Sequence, residues 1–141
     1  MNHLVFLDTH AGELEKILSG VKSMVVKEFD PLQPATHPVK PGDSLYFLRD
    51  NHESALRVKA TVVRVLTFTN STEDDLSHTL KELQPRLQLT EAQYNIWSGQ
   101  KQVQLVEFEC AHKVDMIQVV AHKISSRADW IAFEQFSLIT E

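Results

Sequence analysis

The chain has 141 residues, 43% hydrophobic and 23% charged, with a formal net charge of −5. These totals fit one folded domain spanning residues 1–141, since a single core organises about 100–200 residues. They exclude a disordered chain and a protein that coats nucleic acid through a concentrated basic face. The charge is unevenly placed: up to Phe68 there are eight basic and eight acidic residues, so the whole acidic excess lies beyond it. A local basic site in the first half is compatible with an acidic protein. The one cysteine, Cys110, forbids an intramolecular disulfide and suits a reducing compartment. At the end of an apolar run it reads as a core or strand-end residue. No stretch approaches the ~20 apolar residues that cross a bilayer, and Met1-Asn2-His3 lacks the basic start of a signal peptide. A cytoplasmic protein with no membrane partner is expected.

His3-Leu4-Val5-Phe6-Leu7-Asp8 is dense in β-formers and apolar on both faces, which predicts a central first strand. Thr9 is placed to cap a helix from about residue 11 to 19, with Leu14, Ile17 and Leu18 at helical spacing and Gly20 at the left-handed stop. Met24-Val25-Val26 predicts a short strand. Pro31, Pro34 and Pro38 make residues 30–42 a surface loop. Pro41-Gly42-Asp43 turns into a strand from Ser44 to Arg49, and Asp50-Asn51-His52-Glu53 reads as a hairpin connection.

From Ala55 to Phe68, Leu56, Val58, Ala60 and Val62 alternate with Arg57, Lys59, Thr61 and Val63, the pattern of a long, half-buried, curved strand. A hydroxyl and acidic start at residues 70–75 opens a helix to about Leu83. Thr90-Glu91-Ala92-Gln93 opens another, ending at Gly99. Residues 71–99 therefore form a helical insertion. Val103 to Cys110 and Val114 to Ile124 read as two strands, and Arg127 to Phe136 as a short helix or turn. The short β-to-β connections favour an α+β fold with a mixed or antiparallel sheet that curls toward a small barrel.

Seven histidines show no tight ligand spacing, so no metal is expected. Phosphate loops, dinucleotide fingerprints and nucleophile elbows are absent from the sequence, and no cofactor is expected. What remains is Gly20-Val21-Lys22-Ser23 with Lys27, followed by Gly42-Asp43. This spacing resembles that of ASCH domains, a branch of the PUA-like β-barrel superfamily, in which a helix ends in Gly-x-Lys-x-x-Glu-x-Arg and a Gly-Asp turn leads into the next strand. The likeness continues through Leu45 to Phe68 and, more weakly, over Leu89 to Trp97. Val25 stands in the glutamate position and Lys27 in the arginine position.

The resemblance implies an RNA- or nucleoside-binding module, with Gly20, Lys22, Ser23, Lys27, Tyr46, Arg57 and Lys59 as ligand-binding candidates, the cations on phosphate or sugar. Tyr46, Tyr94 and Trp97 are candidates for base stacking. Two other readings stay open. Some relatives in the family hydrolyse an acetylated cytidine, which implies Lys22 as the catalytic residue, with Glu28, Glu107 or Glu109 as acid–base partner. The hydroxyl that chemistry draws on falls on Val25, which has none. The third reading is a protein-interaction module that docks through the acidic helical segment.

Overall fold

The computed structural model describes residues 1–7, 12–29, 32, 38–49, 55–69, 73–100, 102–118 and 130–135. Strand β1, Asn2–Leu7, precedes helix α1, Glu13–Leu18, and strand β2, Met24–Glu28. Strands β3, Ser44–Arg49, and β4, Ala55–Phe68, follow. Helices α2, Glu73–Glu82, α3, Gln84–Leu87, and α4, Glu91–Ser98, form the insertion. The chain returns as β5, Val103–Gln118, and β6, Trp130–Phe133. The order β2-β5-β4-β3-β1-β6 makes one mixed sheet, parallel between β1 and β3 and antiparallel elsewhere. It curls into a half-barrel.

Alternation along the strands gives the sheet two apolar faces. On the concave face Val5, Leu7, Val25, Leu45, Phe47, Val58, Ala60, Val62, Val106 and Phe108 pack with Leu14 and Ile17 of α1, so the helix fills the half-barrel. The convex face carries two separate clusters. One joins Leu4, Tyr46, Leu48 and Phe133. The other lays Leu76, Leu80, Leu87 and Leu89 of the insertion on Met24, Val103 and Leu105. The leucines recur at helical spacing through α2 and α3, and the break at Leu83 comes where Pro85 opens the short third helix. α4 starts on a capping box, with Thr90 Oγ1 accepting from the Gln93 backbone and Gln93 Oε1 from that of Thr90.

Several expectations need correction. Residues Val103 to Gln118 form one long strand where two were expected, because irregular pairing lets β5 run on past Cys110; residues 119–124 of the second expected strand lie outside the described residues. Cys110 takes φ 57° there and is exposed, so it is neither a core residue nor a strand end. Trp130 to Phe133 form a strand, since Ile131 and Phe133 alternate with Trp130 across the pleat and pair with β1. α1 begins only at Glu13, because Gly12 at its N-cap is left-handed at φ 62°. The capping expected of Thr9, the 50–53 hairpin connection and most of the 30–42 loop lie outside the described residues. Among the described residues no helix is long and apolar enough to cross a membrane.

Candidate functional site

The sequence candidates fall into three places. The first is the turn after α1. Gly20 adopts φ 86°, a region open to glycine at little cost, and lets the Lys22 amide return to the Lys16 carbonyl at 3.0 Å. The Lys22 side chain is thereby driven inward and is 1% exposed. Its ammonium meets Glu13 Oε1 at 3.4 Å and donates to the Leu87 carbonyl at the end of α3. Burial lowers the Lys22 pKa below the usual lysine value, against the pull of Glu13. Two neighbouring carbonyls are held in the same way: the Ser23 amide donates to Arg86 at 2.9 Å and Lys16 Nζ to Gln88 at 3.3 Å. Gly20, Lys22 and Ser23 thus fasten the insertion to the α1–β2 turn.

The carboxylate beside Lys22 is Glu13. Of the three acid–base candidates, Glu107 is engaged by Arg64 at 3.4 Å and Arg86 at 3.1 Å, and Glu28 and Glu109 are exposed. Val25, beside this turn, is in the apolar core.

The second place is the convex face, where Lys59 Nζ lies 5.7 Å from the Tyr46 ring centroid and Tyr46 tilts against Phe133 at 6.1 Å. Tyr46 is 7% exposed, its ring packed into the Leu4 cluster. Arg57 is a β4 position whose side chain lies outside the described residues. Of the other aromatic candidates, Trp97 packs against the insertion cluster, and Tyr94 does so too while its hydroxyl bonds Ser77.

The third place is the seam between the two edges of the curled sheet. Lys27 shares the inner face of β2 with Val25 and pairs in register with buried Gln104. Its ammonium lies 5.7 Å from the ring centroid of Trp130 on β6, the strand at the opposite end of the sheet order. Burial lowers the Lys27 pKa below the usual lysine value, with Glu28 pulling the other way. Trp130 is half-buried, packed against the core, and its Nε1 donates to His3 Nδ1 at 3.0 Å.

His3 in turn contacts Asp43 Oδ2 at 2.8 Å. Asp43 also accepts from the Lys40 amide at 3.0 Å and pairs with the Met1 ammonium at 3.4 Å. Burial alone raises the Asp43 carboxyl; the bonds from His3, Lys40 and Met1 outweigh it and hold the pKa below the ordinary value. For His3, burial outweighs the contact with Asp43 and lowers the imidazole.

Of the sequence candidates only Lys27 belongs to this seam. His3 and Trp130 were not foreseen, and Asp43 was read only as part of the Gly42-Asp43 turn. A histidine sharing a strand face with Val5 and Leu7 was the available signal, since a buried imidazole requires partners.

A shallow groove of ≈350 Å³ also opens on the insertion, lined by Lys81, Gln84, Leu89, Thr90, Glu91 and Tyr94. Its amide, capping hydroxyl and phenol are already bonded within the insertion: Gln84 to Leu89, Thr90 to Gln93 and Tyr94 to Ser77.

A curled mixed sheet with a helix filling its concave side and a seam between its edges defines a small α+β half-barrel. No protein-family model and no curated protein matches the chain. Among solved structures it is similar to the ASCH protein of Zymomonas mobilis, at 11% identity and a TM-score of 0.68, covering 95% of this chain and 88% of that one. A substituted form of the same protein gives 9% identity, 95% and 91% coverage and 0.67. A second gives 14%, 83% and 73%, and 0.59. The chain has an ASCH-like fold.

Proposed function

We propose that this ASCH-like domain binds a nucleoside or the end of a single-stranded RNA at the seam between β2 and β6. The base stacks on Trp130 and the ribose or phosphate meets Lys27. The observation that carries this reading is the Lys27 ammonium held beside the Trp130 ring by opposite edges of one sheet. An indole face accepts any base, and stacking contributes about 1–3 kcal/mol per base. A partly desolvated ammonium adds attraction for an anion in a place where water screens it poorly. Gln104, directly across from Lys27, is buried with its amide donating to Thr67 Oγ1 at 3.3 Å, so it backs the Lys27 position from within the sheet.

Lys27 as the cation on the ligand and a net charge of −5 describe a weak, selective binder. For a single strand the logarithm of affinity falls with the logarithm of salt at a slope of about −0.7 per neutralised phosphate, so a slope near that of one phosphate is expected.

The test uses Trp97→Phe protein, whose fluorescence then comes from Trp130 alone. Oligouridylate is expected to quench it saturably. Trp130→Ala, followed by calorimetry, is expected to weaken binding by tenfold or more, consistent with about 1–3 kcal/mol of stacking, and Lys27→Ala to flatten the salt dependence. Absence of saturable binding by uridine, cytidine and oligouridylate, or calorimetric affinities identical in wild type, Trp130→Ala and Lys27→Ala, would refute the proposal.

A further inference from the structure

His3 is fully buried and uses both of its ring nitrogens. The indole Nε1 of Trp130 carries a hydrogen and has no lone pair to offer, so it can only donate. His3 Nδ1, 3.0 Å away, is therefore the acceptor. The ring proton then sits on Nε2 and is donated to Asp43 Oδ2 at 2.8 Å. This pair of bonds fits one neutral tautomer. A second proton on Nδ1 would point at the indole N–H and replace a hydrogen bond by two opposed donors.

Among the described residues, three charged groups face the ring. The Asp43 carboxylate, on the turn before β3, favours the imidazolium. The Met1 ammonium and the Lys27 ammonium on β2 oppose it. Burial opposes it most, and the net effect keeps the imidazole below its ordinary value of 6.5. His3 and Trp130 also stack at a tilt, with centroids 5.8 Å apart, so the indole plane is set by His3 through both contact and hydrogen bond.

We infer that neutral His3 is a positioning residue for Trp130, and that protonating it releases the indole from the seam and so lowers affinity for the stacked base. The effect on affinity rests on the seam reading above; the release of Trp130 does not. A gain of positive charge at His3 also repels Lys27 across the seam, so both halves of the proposed site are disturbed together.

The experiment follows Trp130 emission in Trp97→Phe protein from about pH 8 to about pH 5, with far-UV circular dichroism alongside. The expected result is a reversible red shift centred below 6.5 while the dichroism stays constant. His3→Gln, whose amide can accept from Trp130 and donate to Asp43 without titrating, is expected to abolish the shift. In parallel, affinity for oligouridylate is expected to fall about tenfold on the same midpoint in protein that retains His3, and to be flat in His3→Gln. Emission that ignores pH, a shift that persists in His3→Gln, or one that coincides with loss of dichroism overturns the inference. A shift as expected in protein that binds no oligouridylate at any pH upholds the positioning and refutes the seam reading.

Discussion

Lys22 shows how a side chain read as a ligand contact becomes an internal fastener. Its position two residues beyond Gly20 was legible; its partners, Glu13 and the Leu87 carbonyl, come from segments nine residues before and sixty-five after it. Helix spacing in sequence cannot foresee a carbonyl delivered by a distant insertion. Replacing Lys22 by Met keeps the length and removes the buried positive charge that faces Glu13 at 3.4 Å. Breaking a buried pair in this way costs about 3–5 kcal/mol. Denaturant unfolding is expected to show that loss, and Lys22→Met with Glu13→Gln to recover part of it.

Gly20→Ala is a cleaner case. No atom lies within 4 Å of the added methyl, so the cost is conformational alone. A loss of about 1–2 kcal/mol is expected, and full stability in the alanine variant would contradict the left-handed turn.

Asp43 gives a pH signature. Its carboxyl is held below the ordinary 3.8 by His3, Lys40 and Met1. The unfolded chain therefore binds the proton first, and the stability Asp43 contributes is complete above that ordinary value and lost as pH falls through the folded one. Asp43→Asn is expected to flatten the acid limb of a stability profile, measured as denaturation midpoint against pH.

At the level of elements, regular local signals were the legible ones. The glycine stop of α1, the alternation of β4 and the Thr90 capping box each rest on neighbours within a few residues, and each is present in the structure. The errors lie where long-range pairing decides. β5 looked like two strands because its middle, Cys110-Ala111-His112-Lys113, carries little apolar signal; pairing with β4 carries the strand through that irregularity. β6 looked like a helix or turn because four residues are too few to show a period. Its strand conformation depends on β1, which supplies the Asn2–Phe133 to Val5–Trp130 register.

The insertion is bound to the sheet by its leucine stripe, and Leu80→Ala removes a fully buried side chain at its centre. A cost of about 2–5 kcal/mol is expected. Hydrogen exchange is expected to show it first in α2 and α3, whereas uniform loss of protection across all strands would indicate that the insertion and the sheet unfold as one unit.

For the whole molecule, the order of the sheet converts separate sequence signals into one place. β2 and β6 are far apart in the chain and lie at opposite ends of the sheet, yet curvature brings Lys27 to Trp130. No pattern along the sequence links these residues, which is why a basic position was legible and its aromatic partner was not. Tyr46 and Lys59, which the alternation of their strands places on the convex face, make a second cation–aromatic contact, but there the ring is packed into a core cluster and offers no open face.

The central claim is that the ligand enters at the seam. It is tested most directly by titrating nitrogen-15-labelled protein with oligouridylate and following the two indole N–H resonances. The Trp130 resonance is expected to shift progressively and saturably, together with the Lys27 and Gln104 amides, while the Trp97 resonance stays in place. Shifts confined to the Tyr46 and Lys59 face or to the insertion, or no shift at all, would contradict the seam as the binding site.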